Sequence, residues 1–303
     1  MRASRRAMLG AALLLPLAAC GRQAPATPPP TTAPAVPEDA ATDRFAALEQ
    51  QFDTRIGVHA LDTGTGRALA HRADDRFAMC STFKTLAAGA VLDTNPLEHL
   101  DVRVRYGQAD LVENSPITEQ HVGTGLTIRE LCDAAIRYSD NTAGNLLLDD
   151  LGGPQAVTRL ARSLGDDVTR LDRRETELNS AVPGDERDTT SPRAIAGLYR
   201  ELVLGERLTP QARDVLTGWL LANTTGAARI RAGLPPDWRV GDKTGSGSYG
   251  TANDVAVAWP PGAAPVVIAV LTTRPTAGPD APYPNAAIAQ AAAVVVEELT
   301  RPR

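Results

Sequence analysis

Strand-like runs stand near both ends of this 303-residue sequence, and the long stretch between them reads as helix. Residues 56–61 and 67–71 flank Asp62-Thr63-Gly64-Thr65-Gly66, a hairpin signal. Residues 255–259 and 266–271 are short β-rich runs split by Pro260-Pro261-Gly262. The spacing of Phe45, Leu48 and Phe52 predicts an amphipathic helix over residues 41–52, and another is predicted over about 285–300. Strands this far apart can share a sheet only if the two ends of the chain meet, which leaves the middle as an insertion. The expected fold class is therefore α+β. An antiparallel sheet flanked by helices is built from about 41–72 and 229–303, with an all-helical region over about 73–228. No internal repeat competes with that reading.

Ahead of the folded part, Arg2, Arg5 and Arg6 precede a short apolar run over residues 8–19, so residues 1–20 read as an export signal. The run falls short of the about 20 apolar residues that span a bilayer. Leu17-Ala18-Ala19-Cys20 resembles a bacterial lipobox, in which the cysteine is lipidated, and Ser4-Arg5-Arg6 resembles a twin-arginine signal. Residues 21–40 hold six prolines among alanines and threonines and predict a stiff linker, with the folded unit starting near Ala41. The expectation is an exported chain, either a cell-envelope lipoprotein that meets the membrane only through Cys20 or a secreted protein.

A net charge of −5 argues against nucleic acid as a partner. The four histidines, at 59, 71, 99 and 121, lack metal-site spacing, and no C-x-x-C pair accompanies them, so a zinc enzyme is not expected. The basic residues are uneven: 29 of the 31 are arginine, and lysine occurs only at 84 and 243. An ammonium can shed its proton when desolvated, whereas a guanidinium stays charged, so the two lysine sites invite inspection.

Ser81-Thr82-Phe83-Lys84 sets a hydroxyl and an ammonium three residues apart at the start of a helical run, on one face and within reach of each other. If Ser81 opens that helix, its backbone N–H lies at the positive end of the dipole, where an oxyanion can form. A neutral Lys84 could take the serine proton. The same four residues also fit an N-capping serine followed by a solvated lysine. Ser139-Asp140-Asn141 follows a helical run over 128–138 and by itself reads as a polar turn or cap. Lys243-Thr244-Gly245 begins or occupies a strand, and its glycine would let another molecule lie against the backbone.

The three motifs in this order are a known signature, and by them the sequence resembles the class A serine β-lactamases, of actinobacterial type, over about 41–300. The resemblance implies that Ser81 is the acylated nucleophile, that Lys84 activates it and that Ser139 relays a proton to the β-lactam nitrogen. It implies that Asn141 holds the substrate's side-chain amide and that Lys243, Thr244 and Gly245 line the site of its carboxylate. Backbone N–H groups of Ser81 and Ser246 would form the oxyanion hole. Residues 171–179, Leu-Asp-Arg-Arg-Glu-Thr-Glu-Leu-Asn, resemble the family's Ω-loop. In it Glu175 is the general base of deacylation, Asn179 helps to hold the water, and Arg173 pairs with Asp188 to close the loop. Whether Lys84 or Glu175 serves as the base of acylation stays open, as it does for the family. Without that context Glu175 would read as one more surface acid.

The chain departs from the family at several points. Thr176 follows the general base where many relatives have proline on a cis bond, Arg174 replaces an aromatic residue, and Asn114 stands for a frequent aromatic beside the cleft. Ala252 occupies the place of a second carboxylate-binding arginine, and Arg229 matches an alternative source of that charge, or else is a solvated side chain. Cys80 and Cys132 are expected to be unpaired, because Gly247 and Ala88 stand where relatives carry partners. The implied protein is a monomeric hydrolase of β-lactam antibiotics that needs no metal or organic cofactor and confers resistance to them. A DD-peptidase, or a penicillin-binding lipoprotein without turnover, shares the first three motifs.

Overall fold

The computed structural model describes residues 38–301. The export signal, Cys20 and the linker up to residue 37 lie outside the described residues. The chain runs through α1 (Glu38–Phe52), β1 (Arg55–Asp62), β2 (Ala68–His71), β3 (Phe77–Ala78) and α2 (Phe83–Thr94). It continues as β4 (Arg103–Val104), β5 (Leu126–Thr127), α3 (Ile128–Arg137), α4 (Asn141–Asp150) and α5 (Gln155–Ser163). Then come β6 (Thr189–Thr190), α6 (Pro192–Val203), α7 (Pro210–Leu221) and α8 (Ile230–Gly233). The chain closes with β7 (Arg239–Gly247), β8 (Thr251–Trp259), β9 (Val266–Thr273) and α9 (Asn285–Thr300). Helix α1 begins at Glu38, three residues earlier than the sequence suggests.

The main sheet has the order β2-β1-β9-β8-β7, and every neighbouring pair is antiparallel. The β1–β9 ladder is where the two ends of the chain meet, as the α+β reading requires. Side chains alternate across the sheet. Ala256, Ala258, Ile268 and Val270 face a cluster with Phe45 of α1 and Ile288 of α9. Val255, Val257, Val267 and Ala269 face the opposite cluster, which includes Ile195 and Tyr199 of α6 and the helical region. With both faces covered, β8 is buried from Thr251 to Ala258 and apolar without interruption from Val255 onward rather than alternating.

Two features of the helical region position the chemistry. Helix α2 is buried on every side from Phe83 to Leu92, as an all-round apolar helix must be, so Lys84 is carried into the interior. Helix α3 starts at a reciprocal cap between Thr127 and Glu130, and α4 starts at Asp140, whose side chain accepts from Ala143 N. The turn between α3 and α4 holds Ser139.

One core group makes stability depend on pH. His59 on β1 is buried, its Nδ1 has no partner, and burial followed by the charge of Arg193 lowers its pKa to about 4. The unfolded chain takes up this proton near the ordinary value of about 6.5, while the fold refuses it down to about 4. The contribution is therefore constant above about 6.5 and is lost as pH falls through that window, about 2 kcal/mol by pH ~5. Urea unfolding at both pH values is expected to show a smaller acid loss in His59→Gln than in the parent; an equal loss removes His59 as the cause.

Candidate active site

The segment that carries Ser81 is a short 3-10 turn, Cys80–Thr82, running into α2. It is pinned from the sheet: Asn253 Nδ2 of β8 donates to Ala78 O at 2.8 Å and Met79 O at 3.2 Å. Cys80 has a φ of 46°, a left-handed conformation that a non-glycine residue holds only when its surroundings enforce it. Gly245 explains how β7 approaches so closely: a Cβ there would lie 2.8 Å from Met79 O and 3.2 Å from Ser81 N. The space on the Cβ side of Gly245 is thus filled by the chain's own nucleophile segment, while Gly245 also lines the cleft. Ser81 and Ser246 both line the cleft beside this contact.

Lys84 Nζ is the hub of the site. It donates to Ser81 Oγ at 3.0 Å, Ser139 O at 2.8 Å and Asn141 Oδ1 at 2.7 Å, and it lies 2.9 Å from Glu175 Oε1. Both Lys84 and Glu175 side chains have no exposed surface. Burial pushes the Lys84 ammonium below the ordinary lysine range, while Glu175 opposes the shift by favouring the charged form. Gly144 of α4 leaves the room needed, since a Cβ there would meet Lys84 Cε at 2.9 Å. The solvated-lysine alternative is excluded.

Glu175 reaches the same hydroxyl from the loop opposite: Ser81 Oγ donates to its Oε1 at 3.1 Å, and Asn179 Nδ2 donates to its Oε2 at 2.5 Å. The loop is clasped by Arg173 and Asp188, 2.6 Å apart, with Asp188 Oδ1 also accepting from the Asp172 and Arg173 backbone. The Glu175–Thr176 peptide bond is cis. Asn145 of α4 holds the Glu175 backbone twice, donating to its carbonyl and accepting from its N–H, both at 2.9 Å. Arg174 turns outward to Asp149.

The second lysine approaches from β7. Lys243 Nζ donates to Ser139 Oγ at 3.0 Å and to Thr244 O at 2.8 Å. Burial, and next the charge of Lys84, push it well below the ordinary lysine range. Ser139 has a φ of 57°, so the turn before α4 bends back and offers its carbonyl to Lys84 and its hydroxyl to Lys243. Thr244 Oγ1 pairs with Thr225 Oγ1 at 2.6 Å. Arg229 is buried, not solvated, and its Nη2 donates to Ser246 Oγ at 2.7 Å. Asn141 also donates from Nδ2 to Glu113 O at 2.8 Å, and Asn114 lines the cleft beside it.

Ser81, Ser139, Asn141, Asn179, Arg229, Thr244, Gly245 and Ser246 line one cleft of about 520 Å3, with Lys84, Lys243 and Glu175 directly behind them. Sequence reasoning missed Asn145 and Asn253. Asn145 lies four residues after Asn141 on one face of α4, a spacing that could have shown it. Nothing local marks Asn253, which acts across the sheet. Cys80 and Cys132 are free and buried, and burial raises both thiols, which keeps them inert.

The sequence matches the profile of the Beta-lactamase enzyme family over residues 40–299. It is 57% identical to the protein described as β-lactamase AST-1 of Nocardia asteroides, across 98% of this chain and 97% of that one. It is 53% identical to a β-lactamase of Mycobacterium tuberculosis, across 96% of both chains. Among solved structures it is similar to a β-lactamase from Desulfarculus baarsii, with a TM-score of 0.85 and 52% identity over 88% of this chain and all of that one. A β-lactamase from Streptomyces albus G gives a TM-score of 0.82 and 54% identity over 85% of this chain and 98% of that one.

Proposed function

The chain belongs to the beta-lactamase enzyme family and is a β-lactam hydrolase, and from that premise we propose that Ser81 is acylated by the drug and that Glu175 directs the water that frees it. The observation that carries this reading is a single contact, Glu175 Oε1 at 3.1 Å from Ser81 Oγ, made by a carboxylate with no exposed surface.

Ser81 Oγ attacks the lactam carbonyl carbon as its proton passes to a base, and the oxygen of the tetrahedral intermediate takes negative charge against the Ser81 and Ser246 amides. Two bases touch the hydroxyl, Lys84 at 3.0 Å and Glu175 at 3.1 Å, and they touch each other, so the proton has a short route from one to the other. The C–N bond then breaks, and the nitrogen takes the Ser139 hydroxyl proton, which the neighbouring ammonium of Lys243 can replace. In release, a water gives its proton to Glu175 as its oxygen attacks the acyl carbon, and Glu175 returns that proton to Ser81 Oγ as the acyl C–O bond breaks, restoring both the carboxylate and the serine. Asn179 Oδ1 is buried without a protein donor, which suits it to accept from that water while Asn179 Nδ2 steadies the carboxylate.

Arg229, Lys243 and Thr244 gather positive charge and donors on the β7 side of the cleft, where the substrate's carboxylate binds. Arg229→Ala is expected to raise KM for penicillins by about ten- to hundredfold with a smaller change in kcat. An unchanged KM in steady-state assays counts against the contact. Export and lipidation of Cys20 belong to the same reading and are supported by the leader's sequence alone. Cys20→Ala should move the enzyme from the detergent-extracted membrane fraction to the soluble one, and an unaltered distribution defeats that part.

A further inference from the structure

Asp242 and Asp254 form a buried acid pair that the reaction above leaves unused. Asp242 lies opposite Ala256 and Asp254 opposite Thr244, so the two acids are diagonal neighbours on the same face of the β7–β8 ladder. Two carboxylates brought together out of water cannot both ionise. Their donors are divided unequally. Asp242 accepts from Arg231 Nε at 2.5 Å on one oxygen and from Asn223 Nδ2 at 2.6 Å on the other, so it is supplied as an anion. Asp254 Oδ2 accepts from Ile230 N at 3.0 Å, but its Oδ1 is buried with no donor. An ionised oxygen in that position is costly, whereas a protonated one can donate to Asp242.

A second observation concerns Arg229. Its hydrogen bonds go to neutral acceptors: Asn285 Oδ1, Gly245 O, Asn253 O and Ser246 Oγ, at 2.7 to 2.9 Å. Among the described residues no carboxylate forms an ion pair with it, and Asp254 is the acid whose charge would bear on it most.

We propose that Asp242 and Asp254 hold one proton between them, carried on Asp254 Oδ1 and donated to Asp242, and that the neutral Asp254 leaves the Arg229 charge available to the substrate's carboxylate. The second half rests on the role given to Arg229 above; the first does not. Arg231 and Arg229 at α8 and Asn223 after α7 face the pair, while Tyr199 on α6 and Lys243 on β7 lie on the other face of the sheet and feel its charge. Burial, and next the charge of Asp242, hold Asp254 well above the ordinary carboxylate range. Burial also raises Asp242, with Arg231 pulling against it. Asp242 and Asp254 are positioning residues: they set the charge that Arg229 presents and touch no substrate.

Infrared spectra of the full-length protein at neutral pH are expected to contain the carbonyl stretch of a protonated carboxyl that disappears in Asp254→Asn. The asparagine keeps an acceptor for Ile230 N and a donor for Asp242, so this variant is the one built to fold. In Asp242→Asn the remaining acid ionises beside Arg229, the band is lost, and KM for benzylpenicillin rises about tenfold while kcat stays within about threefold. The double variant Asp242→Asn/Asp254→Asn removes that new charge and is expected to bring KM back toward the parent value. No such band in the parent, or a band that survives Asp254→Asn, overturns the shared proton. A double variant with KM no lower than that of Asp242→Asn overturns the link to Arg229. Failure of the Arg229 reading itself is seen separately, as an unchanged KM in Arg229→Ala with the band intact.

Discussion

Glu175→Ala enzyme mixed with benzylpenicillin is expected to consume about one equivalent of drug and then stall, with a protein mass raised by that of the whole penicillin. Hydrolytic release should slow by about 10^2- to 10^4-fold, the range that a positioned general base supplies. The expectation follows from the division of labour around Ser81. Lys84 touches the hydroxyl independently of Glu175, so a route for its proton survives the substitution. Loss of the carboxylate also removes the group that favours the charged form of Lys84, which increases the neutral, basic fraction. The water has no such second base beside it, because Asn179, whose amide is placed to hold it, cannot take a proton. Stopped-flow acylation of the same variant settles which group deprotonates Ser81: a fast burst assigns that step to Lys84, a burst as slow as release assigns it to Glu175. Rapid release, with no adduct visible by mass, would falsify the deacylation role.

Ser81→Ala is expected to be the more damaging change for turnover, lowering kcat/KM by about 10^4-fold or more, because the oxyanion donors and binding groups then act on a drug with nothing to receive the acyl group. The side chain has Lys84 and Glu175 as its partners, and the fold does not depend on it: the turn is held by Asn253 and by Tyr199 Oη, which donates to Thr82 O at 3.0 Å. The variant should therefore fold, bind penicillin and fail to form the adduct. Persistence of turnover near the parent rate would place the nucleophile elsewhere.

The parts of this site that were legible in the sequence are those whose chemistry is contained in a few adjacent residues. Ser81 with Lys84, Ser139 with Asn141, and Lys243 with Thr244 each form one short motif, and the rarity of lysine drew the eye to two of them. Glu175 could be found only through its loop, since an isolated acid carries no signal. Asn253 and Asp254 were illegible because each works through a partner brought near by the β7–β8 ladder or by the strand's contact with Cys80–Thr82. In the fold, β1, β2, β8 and β9 were visible from hairpin and β-rich signals. The ladders β3–β6 and β4–β5 were not, because two residues cannot establish a period. Arg229 shows the limit of composition: among 29 arginines nothing in its neighbours distinguishes the buried one that donates to Ser246.

The burial of both lysines has a practical corollary. Since every other basic side chain in the sequence is an arginine, the folded exterior offers no primary amine apart from the chain's own N-terminus. Reagents that couple to amines, whether fluorescent esters, aldehyde fixatives or activated resins, should attach to the native enzyme at that single terminus or not at all, and labelling at Lys84 or Lys243 would report that the molecule had come apart.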